Sequence, residues 1–64
     1  MVVRAKHDSK EYTDKSIPYT VFQEGSDYIA FEKENYMYIV HDAQGRDLIF
    51  CQSAFERNFE IIKR

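Results

Sequence analysis

Tyr36-Met37-Tyr38-Ile39-Val40-His41-Asp42-Ala43-Gln44-Gly45-Arg46-Asp47-Leu48-Ile49-Phe50-Cys51 is the stretch that decides the fold. Two β-rich runs, Tyr36–Val40 and Leu48–Cys51, flank a short polar segment. A three-residue loop, Ala43-Gln44-Gly45, puts glycine at the position that must turn left-handed. That register sets Asp42 opposite Arg46 and His41 opposite Asp47, two favourable cross-strand pairs. A loop one residue longer would set Asp42 against Asp47, which repel. The sequence therefore predicts the three-residue loop.

This register sorts the side chains onto two faces. One carries Met37, Ile39, Ile49 and Cys51. The other carries Tyr36, Tyr38, Val40, Leu48 and Phe50. Both are apolar, although an antiparallel sheet needs only one apolar face, because the other can meet water. One face must be covered by something else. Either residues 8–17 fold over it as a loop, or a partner or a second copy of the chain does. An exposed apolar patch above a few hundred square ångströms, on the order of 300 Å², would mark such a site.

Outward from the hairpin, Tyr28 to Glu32 reads as another strand, with a short helix over Asp27–Glu34 as the competing reading. Gly25-Ser26-Asp27 is a turn. Pro18 can open a strand, where its missing donor does no harm, and Tyr19 to Glu24 continues it. Asp8 to Ser16 is polar, with Tyr12 its one aromatic residue, and reads as a long loop. Residues 1–7 read as a strand with Val3 and Ala5 on one face and Arg4 and Lys6 on the other. Past the hairpin, Ser53 is placed to cap a single helical turn within Gln52–Glu56. Asn58 to Ile62 closes the chain as a short strand, Phe59 and Ile61 alternating. The expected fold is all-β: one domain over residues 1–64, a small antiparallel barrel of five or six strands with one helical turn.

The chain has 64 residues, and a core of that size rarely supplies more than about 3–5 kcal/mol without a staple. Cys51 is the only cysteine, so no internal disulfide can form. His7, His41 and Cys51 are too few and too scattered for a four-ligand zinc site. An efficient core or self-association must serve instead, and 44% hydrophobic and 16% aromatic residues fit either. The net charge of −2 lacks the basic footprint of phosphate binding. No apolar run approaches the roughly 18 residues of a membrane span. Met1 to Lys6 carries no apolar stretch of the secretory kind. With a lone thiol, a soluble cytoplasmic protein is expected.

Catalytic constellations are hard to assemble from these residues. In the hairpin register Cys51 faces Met37, and His41 lies four residues further along, about 13 Å away. A thiolate needs its base within about 3 Å, so Cys51 is expected as a small buried or half-buried hydrophobe. Gly25 and Gly45 are the only glycines, and neither belongs to a phosphate-binding loop. The carboxylate pairs Glu32/Glu34 and Asp42/Asp47 sit in no identifiable pocket. The expectation is a protein that binds, has no cofactor and is not an enzyme.

Charge is uneven along the chain. Residues 23–47 carry a net −4, and the flanking segments carry +1 each. The five tyrosines, Tyr12, Tyr19, Tyr28, Tyr36 and Tyr38, are suited to interfaces. An acidic, aromatic middle of this kind can meet a basic protein patch. The expected contact set is Tyr28, Phe31, Glu32, Glu34, Tyr36 and Tyr38, with Tyr36 and Tyr38 dispensable for folding. Two alternatives stand beside it. One is nucleic-acid binding through Arg4, Lys6, Arg57, Lys63 and Arg64. The other is a symmetric homodimer built on the second apolar face.

The order of motifs is also familiar: a basic first strand, a polar loop, Tyr19-Thr20-Val21, the Tyr36–Asp42 strand, a glycine turn, then Ser53-Ala54-Phe55-Glu56 before a terminal strand. It resembles the small Src-homology-3-like barrel proteins of bacteriophages and prophages of Gram-positive bacteria. Those proteins place Gly-Lys where this chain has Ser16-Ile17-Pro18, and they lack the stretch Gly25 to Glu34. The resemblance implies a barrel, a mobile-element origin and, from the habits of that class, a host or phage protein as partner, blocked or modulated in the host cytoplasm.

Overall fold

The computed structural model describes residues 1–64. Its elements in chain order are β1 (Val2–Ala5), β2 (Ser9–Tyr12), β3 (Pro18–Phe22), β4 (Asp27–Lys33), β5 (Met37–His41), β6 (Asp47–Cys51), α1 (Gln52–Asn58) and β7 (Phe59–Lys63). A 3₁₀ turn, Glu34–Tyr36, joins β4 to β5. The hairpin has the predicted register, from Met37 opposite Cys51 to His41 opposite Asp47. Gly45 sits at φ 80°, a left-handed value glycine adopts without a Cβ clash.

Five strands form one antiparallel sheet in the order β6-β5-β4-β1-β7, and β2 and β3 form a separate two-stranded ribbon. The five-stranded sheet curls strongly. Strand spacing would hold its two edges about 19 Å apart if it were flat. Yet the rings of Phe50 on β6 and Phe59 on β7, on opposite edges, lie 5.3 Å apart. The curl stops short of closure, because β6 and β7 exchange no hydrogen bonds. The expected barrel of five or six strands is thus corrected to an open, curled sheet plus a ribbon, seven strands in all. The two-turn helix α1 connects the two edges, and the ribbon stands apart from the sheet's ladder.

The long loop expected over Asp8–Ser16 is corrected as well. Ser9–Tyr12 is a strand that pairs with Pro18–Phe22. Thr13 organises the intervening turn: its hydroxyl oxygen accepts the N–H groups of Lys15 and Ile17, each at 3.2 Å. Asp27–Lys33 is strand, not helix, and Ala30 is buried between β1 and β5. The helical segment is longer than one turn, and Cys51 occupies its N-cap with no side-chain bond, so Ser53 is not the cap. No helix is long and apolar enough to cross a membrane.

The core fills the concave side of the sheet. Val3, Ala5, Ala30, Tyr38, Val40 and Phe59 project into it from the sheet, Val21 and Phe22 from the ribbon, and Phe55 from α1. Phe55 stacks on Tyr38, centroids 4.0 Å apart and planes 5° from parallel. Phe22 meets Tyr28 and Phe59 edge-on at 5.0 and 4.9 Å, the offset arrangement aromatic quadrupoles favour. Ribbon and helix together cover the concave side. Nothing covers the convex side.

Candidate functional site

Strand alternation places Val2 and Arg4 of β1, Asp27, Ile29, Phe31 and Lys33 of β4, Met37, Ile39 and His41 of β5, and Asp47, Ile49 and Cys51 of β6 on the convex face. Phe31 pairs with Ile39 and Ile39 with Ile49, so these three side chains form one row across three strands. Val2 pairs with Ile29 beside it. Ile29, Phe31 and Ile49 are 47%, 51% and 63% exposed. Three large apolar side chains half open to water, two on β4 and one on β6 with Ile39 of β5 between, are the least explained feature of the molecule.

The charges around this row are satisfied locally. Arg4 grips Asp27 through both carboxylate oxygens, at 2.8 and 3.3 Å. That hydrogen bond outweighs burial and holds the Asp27 carboxyl below its ordinary pKa. His41 Nδ1 pairs with Asp47, and the His41 ring stands edge-on to Phe31 at 5.5 Å. A hollow of about 270 Å³ lies beside the row, with Val2, Ile29 and His41 among its walls.

The sequence-derived contact set is split by the structure. Tyr28, Glu32 and Tyr38 belong to the concave side. Tyr38 is 8% exposed and its hydroxyl donates to Glu32 at 3.1 Å. Burial first, then Glu32, raises the Tyr38 pKa. Tyr28 hydroxyl accepts the Gln23 N–H at 2.7 Å. Phe31 lies on the convex face. Glu34 and Tyr36 sit at the β4–β5 hairpin tip. A Tyr36/Tyr38 double alanine variant therefore strikes the fold through the Tyr38–Phe55 stack, contrary to the expectation that both rings are dispensable for it. Within the acidic middle, Asp27 pairs with Arg4 and Asp42 with Arg46, while Glu24, Glu32 and Glu34 have no ion-pair partner.

The basic set does not converge. Arg4 is held by Asp27. Lys6 Nζ donates to the Glu56 carbonyl at 2.7 Å, and Arg57 lies in the last turn of α1, both near the Ala5–Phe59 end of the β1–β7 ladder. Lys63 pairs with Val2 at the other end, and Glu60 faces Arg4 between them. Arg64 follows Lys63. No continuous track for a phosphate backbone results.

Cys51 is exposed, which corrects its expected burial: it faces the convex side, where nothing packs. The Ser53 hydroxyl at 3.4 Å and then the Ala54 N–H pull its thiol below the ordinary value. Neither histidine serves as its base, for His41 pairs with Asp47 and His7 bonds Asn58 Oδ1 at 2.6 Å. A cleft of about 180 Å³ between the ribbon and β6, lined by Val21, Phe22, Leu48 and Phe50 among others, is smaller than the roughly 300 Å³ of ordinary small-molecule sites.

Asn35 and Tyr36 both adopt left-handed backbone, at φ 60° and 59°. This is why Tyr36 leaves the strand alternation and stands 75% exposed. A side chain costs about 1–2 kcal/mol in that region, and glycine gives back part of the gain as chain entropy. Tyr36→Gly is expected to raise stability by up to about 1 kcal/mol in urea titrations. A lower midpoint would show that the ring makes a stabilising contact at the tip.

Compared with known proteins, the chain matches no family model, no curated protein and no solved structure.

Proposed function

We propose that this chain is a small protein-binding module that acts by docking, not catalysis, and that it docks through the convex face of its five-stranded sheet. The exposed Phe31–Ile39–Ile49 row carries this reading. Ile29, Phe31 and Ile49, each about half open, leave apolar surface on the order of 300 Å², the scale of the largest patch on a typical monomer, which is often functional. Arg4 and Lys33 balance Asp27 and Asp47 in formal charge, so the face projects little net field and suits an apolar protein surface better than a polyanion. The expected acidic, aromatic surface is replaced by an apolar one. Of the earlier contact set, only Phe31 belongs to it.

The resemblance of the sequence motifs to phage Src-homology-3-like proteins supports the same reading. It points to a host or phage protein as partner, met in the host cytoplasm.

Phe31→Glu places a charge at the β4 end of the row, beside Ile29, without touching the core. Folding stability is expected to stay within about 0.5 kcal/mol, as for surface substitutions generally. Recovery of the partner from a lysate of the native cells is expected to be lost. Equal recovery by Phe31→Glu and the unmodified chain would sink the proposal.

A further inference from the structure

The convex face ends at a strand edge that is open in a specific way. The Asp42 N–H donates to the Arg46 carbonyl at 2.8 Å. Antiparallel ladders alternate bonded and non-bonded pairs, so Val40–Leu48 and Tyr38–Phe50 are the bonded pairs of β5 and β6. Asp47, Ile49 and Cys51 accordingly turn their main-chain groups away from β5, towards the edge. β6 is outermost in the sheet and bonds no strand but β5.

Native edges are normally blunted by charge, proline or bulges. The opposite edge strand, β7, has such devices: Glu60, Lys63 and an irregular register against β1. β6 runs Asp-Leu-Ile-Phe-Cys with regular pairing, and its single charge, Asp47, sits at the turn end beside His41. Of the two edges of the five-stranded sheet, β6 is the one without a bulge and with its charge confined to one end.

We propose that β6 pairs with β6 of a second copy of this chain, antiparallel across a two-fold axis through Ile49. This deepens the docking reading, on which it rests for the exposed row. The register is self-complementary. Ile49 meets the partner's Ile49, and Asp47 meets the partner's Cys51, so the strand's only acid never faces itself. Asp47 and Ile49 find partners for both main-chain groups and Cys51 for its N–H, the Cys51 carbonyl being taken by the first turn of α1. The Phe31–Ile39–Ile49 row then continues into its symmetry mate as one apolar stripe over six strands, and Ile49, the most exposed member of the row, gains the partner's Ile49 as a cross-strand neighbour. An edge contact of this kind falls below the roughly 1,200 Å² of stable standard interfaces, so the dimer is concentration-dependent.

Sedimentation of the full chain from about 1 µM to 1 mM tests this. The unmodified chain is expected to pass from monomer to dimer. Ile49→Lys and Ile49→Glu each set like charges opposite each other across the axis and are expected to stay monomeric with unchanged circular dichroism. An equimolar mixture of the two is expected to regain the dimer. A chain that is monomeric throughout, variants that associate as the parent does, or a mixture that stays monomeric would each overturn the pairing. If the chain is monomeric while Phe31→Glu still abolishes partner recovery, self-pairing fails and the docking module stands. If recovery survives Phe31→Glu as well, both fail.

Discussion

Phe22→Ala leaves the chain unfolded at 25 °C. Phe22 is 2% exposed and belongs to the ribbon, yet its ring touches Tyr28, Phe50 and Phe59 of the sheet. It is the aromatic wedge that seats the ribbon on the concave side. Truncating a buried phenylalanine to alanine costs about 3–5 kcal/mol, which matches the whole stability of about 3–5 kcal/mol expected for an unstapled chain of this size. Circular dichroism should show no cooperative urea transition for Phe22→Ala. Phe22→Leu keeps part of the volume and is expected to fold with a lowered midpoint. A Phe22→Ala variant that melts like the parent would show that the ribbon is not needed for the core.

Much of the architecture was legible because its signals are local. The 36–51 hairpin declared itself through two β-rich runs, one glycine and two charge pairs that fit only one loop length. The strand over Asp27–Lys33 alternates Ala30 inward with Ile29 and Phe31 outward. The ribbon strand Ser9–Tyr12 was illegible for a physical reason. It is exposed along nearly all its length, so it shows no apolar period. Its structure comes from pairing with Pro18–Phe22 and from the Thr13 turn. The barrel expectation failed through the same gap, since counting strands from apolar runs cannot show that two of them leave the main sheet.

The exposed apolar face was half legible. The hairpin register showed that Met37, Ile39, Ile49 and Cys51 would form a second apolar face, and the structure leaves that face bare. What local reading could not supply was its continuation onto β4 and β1, which depends on long-range register. Tyr36 and Tyr38 looked like one surface because they are two residues apart in a strand-like run. The left-handed Asn35 and Tyr36 break that alternation, and no residue type in Glu34-Asn35-Tyr36 demands the break as a glycine would.

Asp42 is the polar counterpart of Phe22. Its carboxylate is fully buried. Oδ1 accepts the Gln44 N–H at 2.9 Å and the Arg46 N–H at 2.7 Å, and Oδ2 accepts Arg46 Nε at 2.9 Å. Arg46 reaches on to Glu11 at 3.4 Å and lies over the Tyr19 ring. Ala43 N–H donates to the Val21 carbonyl at 2.9 Å. The turn around Asp42 thereby clamps the ribbon from outside while Phe22 holds it from within. Burial alone would push the Asp42 carboxyl up, but the hydrogen bonds from Arg46 and Gln44 outweigh it, and the pKa lies below the ordinary value. A folded-state pKa below the unfolded one stabilises the fold above the unfolded carboxyl range, near about 3.9. That contribution is lost as pH falls through the folded value. Asp42→Asn replaces one acceptor oxygen with a donor facing donors, and leaving buried partners unsatisfied costs about 1–3 kcal/mol. At neutral pH the variant is expected to melt well below the parent. The gap should narrow as pH falls below the unfolded carboxyl range, about 3.9, and on through the lower folded value. A gap of equal size at neutral and acid pH would mean that the turn is held by its backbone alone and that the charge on Asp42 is incidental to the clamp.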